Sequence, residues 1–354
     1  MATIHLFNPD HDLALAYGRE GFTPPAAGRG MRKGLGYIPA FWAAEGDVVV
    51  VDDVETAKRA VGVLEDLLPS VTILSPEGLA AAIRQGEFLP KKVMPWGWNA
   101  ALCFRLRRMG VQVGLMPSQD KLEHIRNLSH RKATIALLRQ LVADVPMTIG
   151  ERQEAFSLDD VRSWLLDKGA SVVKSPWSSS GRGVRFLSCD MDANFEGFIR
   201  NTMAKQGSVL LEPMYDKVMD FAMEFDADGM GMARYAGLSL FETQHGAYFG
   251  NLLASEDEKM LRMGALVSTD VLEQVKKVLE TRLGQMCQDV YEGPLGVDMM
   301  VVRGEKGMLV HPCVEVNVRR TMGHVALCVA RRVKGRFSIM RVVCDAMGYR
   351  MVFE

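Results

Sequence analysis

Strand-like and helix-like pieces alternate along the first third of the chain, and this alternation narrows the fold more than any other feature. "TIHLF", "DVVVV" and "SVTIL" are short apolar runs bounded by polar residues. "VETAKRAVGVLEDLL" and "NAALCFRLRRMG" carry apolar residues at helical spacing, and "VQVGLM" is a further strand candidate. The pattern predicts an α/β unit over residues 1–118, a parallel sheet with helices on both faces. Between its first two strands, "YGREGFTPPAAGRGMRKGLG" is rich in Gly and Pro and predicts a long surface loop over one end of the sheet. The 354 residues exceed one ordinary core and imply two or three packed units.

From about residue 119 the pattern changes. "SQDKLEHIRNLSHRKATIALLRQL" predicts one helix or two close together, with Ser118 or Ser129 as N-cap. A helix follows at "LDDVRSWLLDKG", ending in Gly169, and strands at "ASVVKSP", "RGVRFLS" and "SVLLEPMY". After Tyr215 strand signals dominate. "VMDFAMEFDADGMGMARYAGLSLFET" alternates apolar and polar residues around the turn "DADG", and a long helix is expected at about 268–290. "GPLGVDMMVVRGEKGMLVHPCVEVNVRR" reads as a hairpin turning at "RGEKG". These changes divide the chain at 1–118, 119–214 and 215–354.

The charge balance excludes some functions. Net charge is −1, so no global field draws nucleic acid or an anionic membrane, and anion binding must be local. No helix-turn-helix, zinc or RNP signature is present. The six cysteines are scattered without a C-x-x-C pair and read as reduced thiols, which with the absence of a basic leader in "MATIHLFNPDHD" predicts a cytoplasmic protein. No apolar run approaches the length of a membrane span.

The stretch "VKSPWSSSGRGVRFL" looks like a phosphate-holding loop in reversed order. A P-loop places its lysine after the glycines and then a helix. Lys174 instead ends a strand, and a second strand follows the glycines. Glycines and small hydroxyl residues let backbone N–H groups approach phosphate oxygens, and the lysine adds a point charge. A plain Ser/Gly hairpin loop has the same composition. In the last hairpin, Glu315 and Asn317 lie two apart and share a face. With the turn near Glu305, Asp298 lies across from Cys313 and Glu315. Two carboxylates and an amide oxygen suit Mg²⁺ alongside nucleotide phosphates, although a solvated strand face would read alike.

In this order, the pieces resemble the ATP-grasp superfamily over about residues 120–325. The matching segments are "SHRKATIALL", Lys174 with "SSSGRG", "LLEPMY", "GVDMMVV" and "EVNVRR". The resemblance implies an ATP-grasp fold behind an N-terminal α/β domain, with ATP clamped between subdomains. It implies Lys132 and Lys174 on phosphates, and a lid of Ser178, Ser179, Ser180, Gly181, Arg182 and Gly183. It implies Glu212 and Met214 on adenine, Asp220 on ribose, and Asp298, Glu315 and Asn317 on two Mg²⁺ ions, with Mn²⁺ as a substitute. Arg319 matches the family's arginine after the asparagine, and Arg182 is a second catalytic candidate. Val318 departs from the family's usual proline, and Asp220 from its usual glutamate. The implied activity is an ATP-dependent ligase: a carboxylate becomes an acyl phosphate and is joined to an amine, less often a thiol. Substrate candidates are Asn8, Asp10 and His11 after the first strand, then His245, Tyr248 and Arg320. "NPDHD" also fits an Asx-turn or helix cap. The expected partners are small-molecule or peptide carboxylates and amines, no nucleic acid, no membrane, and a homodimer on base rates. A small-molecule kinase on the same fold and a non-catalytic nucleotide-binding protein are the alternatives.

Overall fold

The computed structural model describes residues 2–178, 183–188, 191–244, 247–333, 335–346 and 348–354. By contacts the chain forms two compact units. The first comprises residues 1–126, 249–255 and 319–354, and the second residues 127–248 and 256–318. The segments 249–255 and 319–354, which the sequence reading placed in the C-terminal part, pack in the first unit.

The first unit is built on a parallel sheet with strand order β3-β2-β1-β4. Its strands are β1 (Ala2–Leu6), β2 (Val48–Val50), β3 (Thr72–Leu74) and β4 (Pro90–Pro95). The helices of this region are α1 (His11–Tyr17), α2 (Ala26–Leu35), α3 (Val54–Val63), α4 (Pro76–Arg84), α5 (Ala100–Arg108) and α6 (Gln119–Leu128). Period-two alternation splits the buried residues between the two faces of the sheet. Ile4, Leu6, Val48 and Val50 pack with Leu79, Leu102 and Leu106, whereas Phe7, Val49 and Val51 join a second core with Ile38, Phe41, Val325 and Val329.

Two expectations fail in this unit. The Gly/Pro-rich stretch is not a plain loop, because it contains α2. Its glycines serve packing. A Cβ on Gly34 would lie 2.1 Å from the carbonyl oxygen of Tyr349, and one on Gly30 would lie 3.2 Å from the Tyr349 ring. The last strand is β4, from "PKKVMP", while "VQVGLM" holds only a 3₁₀ turn at Val113–Leu115. Prolines bracket β4, which is tolerable because it is an edge strand.

The second unit has two antiparallel sheets. Order β5-β8-β6-β7 joins β5 (Gln153–Ala155), β6 (Ser171–Lys174), β7 (Val184–Leu187) and β8 (Val209–Pro213). Helices α8 (Leu158–Lys168) and α9 (Ala193–Gln206) contribute Val161, Trp164 and Ile199 to the core they share with Val173, Val209 and Leu211. A reciprocal capping box between Ser157 and Asp160 starts α8, and Gly169 at φ 71° ends it. The sequence reading did not identify α9, although Asp192 caps it and Gly207 closes it in the left-handed region. The other sheet places β13 (Gly307–Asn317), β12 (Gly293–Gly304), β9 (Lys217–Ala227) and β10 (Ala233–Gln244) side by side. The unit also contains α7 (Ile135–Asp144), α10 (Glu256–Gly264) and α11 (Thr269–Cys287), the long helix expected at 268–290.

The remaining elements are β11 (Ala247–Leu252), α12 (Met322–Val333), β14 (Ile339–Asp345) and β15 (Gly348–Phe353). In the first unit β14 pairs antiparallel with both β11 and β15. Among the described residues no helix is long and apolar enough to cross a membrane.

Candidate functional site

The β12–β13 hairpin carries the acids. Gly304 pairs with Gly307 at the turn, and Met300 pairs with His311. Beyond that the register shifts: one residue of β12, Met299, faces three of β13, Pro312–Val314. Pro312 lacks an N–H and cannot continue the ladder. The shift brings Asp298 directly opposite Glu315 and Gly296 opposite Asn317. Asn317 Nδ2 donates to Asp298 Oδ2 at 3.0 Å.

The bulge exposes backbone carbonyls, and a buried arginine takes them. Arg152 Nη2 donates to the carbonyls of Cys313 at 3.2 Å and Val314 at 2.6 Å. Its Nε donates to Glu212 Oε1 at 2.7 Å, and its Nη1 reaches Thr134 Oγ1. Glu212 on β8 also accepts from Lys174 Nζ at 2.6 Å, from the end of β6. Burial opposes ionisation of Glu212, yet Arg152 and Lys174 hold its carboxyl down at about 2. Burial, helped by Arg152 and Arg131, pulls the Lys174 amine below its ordinary value, against the attraction of Glu212.

Arg131 connects this network to the hairpin and the loop. Its Nη2 donates to Glu315 Oε1 at 2.7 Å. Its Nη1 donates to the Ser175 carbonyl and, at 3.0 Å, to Ser178 Oγ. The loop is closed at its base, where Ser175 N–H donates to the Gly183 carbonyl at 2.7 Å. A Cβ on Gly183 would lie 2.4 Å from Ser178 Cβ, so glycine is required for this approach. Lys174 pairs with Val184 across the base, so the loop joins two antiparallel strands. Ser179, Ser180, Gly181 and Arg182 lie outside the described residues, as does His245.

Other predicted residues stand as follows. Lys132 is exposed, and its buried neighbour Arg131 is the cation in the cluster. The Glu212 carboxylate, expected to meet adenine, is the counter-ion of Lys174 and Arg152. Met214 is exposed and its N–H donates to the Ala170 carbonyl at 2.9 Å. Asp220 accepts from Lys217 Nζ at 2.6 Å and Thr243 Oγ1 at 2.8 Å. Tyr248 is partly buried, and burial pushes its phenol up.

The sequence reading missed Arg131, Arg152 and His311. His311 is fully buried beside the Tyr215 ring, with centroids 5.5 Å apart, and neither ring nitrogen has a hydrogen-bond partner among the described residues. Burial drives it down to about 3, so the imidazole is neutral. No local pattern marks a buried cation or imidazole; only Pro312 inside an alternating strand signalled the bulge that Arg152 serves.

In the first unit, Arg319 makes a bidentate pair with Asp12, Nη2 to Oδ2 at 2.8 Å and Nε to Oδ1 at 3.0 Å. The Arg320 guanidinium lies 4.4 Å from the centre of the Trp42 ring. Asn8 spans to Gly97, donating to its carbonyl at 2.9 Å. Asp10 starts α1 without capping it, because its carboxylate accepts two hydrogen bonds from Arg32, both at 2.7 Å. His11 is buried, its Nδ1 meets Asn99 Nδ2 at 3.1 Å, and burial lowers it to about 4.

No family model matches the sequence, and no curated protein matches it. Solved structures do. The Staphylococcus aureus N5-carboxyaminoimidazole synthetase complexed with ADP is similar at a TM-score of 0.53 and 12% identity, over 97% of this chain and 82% of that one. The Campylobacter jejuni biotin carboxylase–beta-gamma-ATP complex gives 0.52 and 13%, over 94% and 70%. The biotin carboxylase domain of Hydrogenobacter thermophilus 2-oxoglutarate carboxylase, with MgADP and bicarbonate, gives 0.50 and 13%, over 97% and 75%. The chain has the ATP-grasp fold. Within this fold, Lys174, Glu212, Arg131, Arg152 and Glu315 belong to the second unit, and Arg319 to the first.

Proposed function

We propose that the second unit binds Mg–ATP and that the chain is an ATP-dependent ligase acting on a carboxylate and an amine or thiol. One observation carries the reading: Asp298 and Glu315 face each other beside Arg131 and Lys174, at the base of the Ser/Gly loop. Three cations, Arg131, Arg152 and Lys174, balance three carboxylates, Glu212, Glu315 and Asp298, so a divalent cation on Asp298 and Glu315 would give the cluster a net positive charge suited to a polyphosphate.

The donor set fits magnesium. Asp298 and Glu315 supply hard carboxylate oxygens, and the amide of Asn317, which donates its N–H to Asp298, keeps its oxygen for a cation. The ion would neutralise charge on the transferring phosphoryl group. Lys174 and Arg131 would hold phosphate oxygens, and Glu315, which pairs with Arg131 at 2.7 Å, would hold the cation together with Asp298. A carboxylate oxygen attacks the γ-phosphorus and ADP leaves. The amine or thiol then attacks the acyl carbon, and phosphate leaves.

The test is ADP release from Mg–ATP across pools of amino acids, peptides and other carboxylates, with and without amines. A ligase requires both substrates, whereas a kinase on this fold releases ADP without the amine. Glu315→Ala should abolish turnover; unchanged turnover would sink the metal assignment. Calorimetry showing no Mg–ATP binding would sink the whole reading.

A further inference from the structure

The first unit contains a cavity of about 240 Å³ that the nucleotide chemistry does not use. It opens where Asn8 and Asp10 follow β1 and Asn99 follows β4. In the order β3-β2-β1-β4 the chain progresses in one direction from β1 and then returns to its other side, so β1 and β4 flank a topological switch point. Open α/β sheets bind ligands in the crevice outside the carboxyl ends of such strands. The volume lies below the roughly 300–1,000 Å³ of drug-sized sites, so the occupant is small.

The lining is cationic. Arg32 from α2 and Arg105 and Arg108 from α5 face it, against the carboxylates Asp10 and Glu20. Asp10 holds Arg32 in a bidentate pair, and its side chain is 3% exposed. Arg105 donates to Asp52 at 3.1 Å and its side chain stays 29% exposed. Glu20 is engaged by Arg107. Arg108 has no ion pair or hydrogen bond among the described residues, and its guanidinium lies 5.9 Å from the centre of the Phe104 ring. Burial and the neighbouring charge of Arg32 both act against the charged form of Arg105. An anion in the cavity would relieve that repulsion.

We propose that this cavity is the subsite for a small metabolite bearing an oxyanion, a carboxylate or a phosphate monoester, gripped by Arg105 and Arg108. Asn8 and Asp10 shape the site rather than touch the ligand. Asn8 fixes the turn after β4 through Gly97, and Asp10 fixes the Arg32 fork. Arginine suits this role because its planar fork matches either oxyanion in two-point contact. Assigning the oxyanion to the acceptor substrate rests on the ligase reading; the binding itself does not.

The test uses the full chain and two probes, inorganic phosphate and succinate, titrated by calorimetry at constant ionic strength. At least one probe should bind, and Arg105→Ala and Arg108→Ala should each weaken it about tenfold or more, as expected for lost charge-assisted hydrogen bonds. Lys174→Ala should leave that binding in place. Stronger binding of phosphate identifies a phosphate ester, and stronger binding of succinate a carboxylate. No binding of either probe, or binding lost in Lys174→Ala but kept in both arginine variants, overturns the proposal. Mg–ATP affinity is measured in the same samples. If ATP fails to bind while the arginine-dependent binding persists, the ligase reading falls and the anion site stands.

Discussion

Replacing Arg152 by methionine tests how the second unit holds its charged centre. Methionine keeps the apolar stem and removes the fork. Glu212 then keeps only Lys174, the Cys313 carbonyl loses its Arg152 donor, and the Val314 carbonyl keeps only the long contact from Lys174 Nζ at 3.5 Å. Breaking a buried ion pair costs about 3–5 kcal/mol, and each unmatched buried acceptor about 1–3 kcal/mol. These groups form one network, so the terms overlap and the expected loss is about 5 kcal/mol rather than their sum. That is a large part of the roughly 5–15 kcal/mol that stabilises an ordinary domain. The measurement is urea denaturation followed by the fluorescence of Trp164 and Trp177, the tryptophans of the second unit. Glu212→Gln completes a double-mutant cycle. In that background the cost of Arg152→Met should fall by about 2 kcal/mol or more, because no full charge remains to be orphaned. The loss should hold at neutral pH, where Glu212, held at about 2 against an ordinary 4.5, is fully ionised. Additivity within about 0.5 kcal/mol would refute the idea that Arg152 acts through Glu212.

Two further outcomes are expected. His311 is neutral in the fold and titrates at about 3 rather than 6.5, so its contribution is complete above 6.5 and is lost as the unfolded chain takes up its proton below that. Between pH 6.5 and 4.5 this amounts to roughly 2–3 kcal/mol; His311→Leu should flatten the fall in Tm over that range, and an unchanged slope would show that His311 does not drive it. Gly34→Ala places a Cβ 2.1 Å from a backbone carbonyl, whereas Gly62→Ala meets nothing within 4 Å. The first should destabilise by about 1–3 kcal/mol and the second stabilise by about 0.5–1 kcal/mol, both read by thermal melts. Equal shifts would mean that helix propensity, not the approach to Tyr349, decides at Gly34.

The parts legible in the sequence are those written in local periodicity. The alternation in the first unit, the helix ending at Gly169 and the paired strands around the Ser/Gly loop all depend on neighbours a few residues apart. The α2 helix was not legible because its glycines answer to Tyr349, more than three hundred residues away. The buried cations failed to show for the same reason. Arg131 and Lys132 are adjacent and chemically alike, and only the direction of a 3₁₀ turn decides which one enters the cluster. Arg152 is fixed by partners on β8 and β13, and nothing in "IGERQEA" announces that.

The acid pair is a different case, because its partner was legible through an incomplete register. Counting back from the turn pairs Met300 with His311, and an unbroken ladder would put Asp298 opposite Cys313. The bulge at Pro312–Val314 moves the pairing by two residues, so Asp298 faces Glu315 instead. A strand alternates faces with period two, so an even shift keeps every side chain on its side, while an odd shift would have turned Asp298 away. The convergence of Asp298, Glu315 and Asn317 therefore survives the bulge. What the bulge adds is the direct opposition of the two carboxylates and the freed carbonyls that recruit Arg152. Pro312 is tolerated there because β13 is the edge strand of its sheet, and the same edge position leaves Glu315 within reach of Arg131.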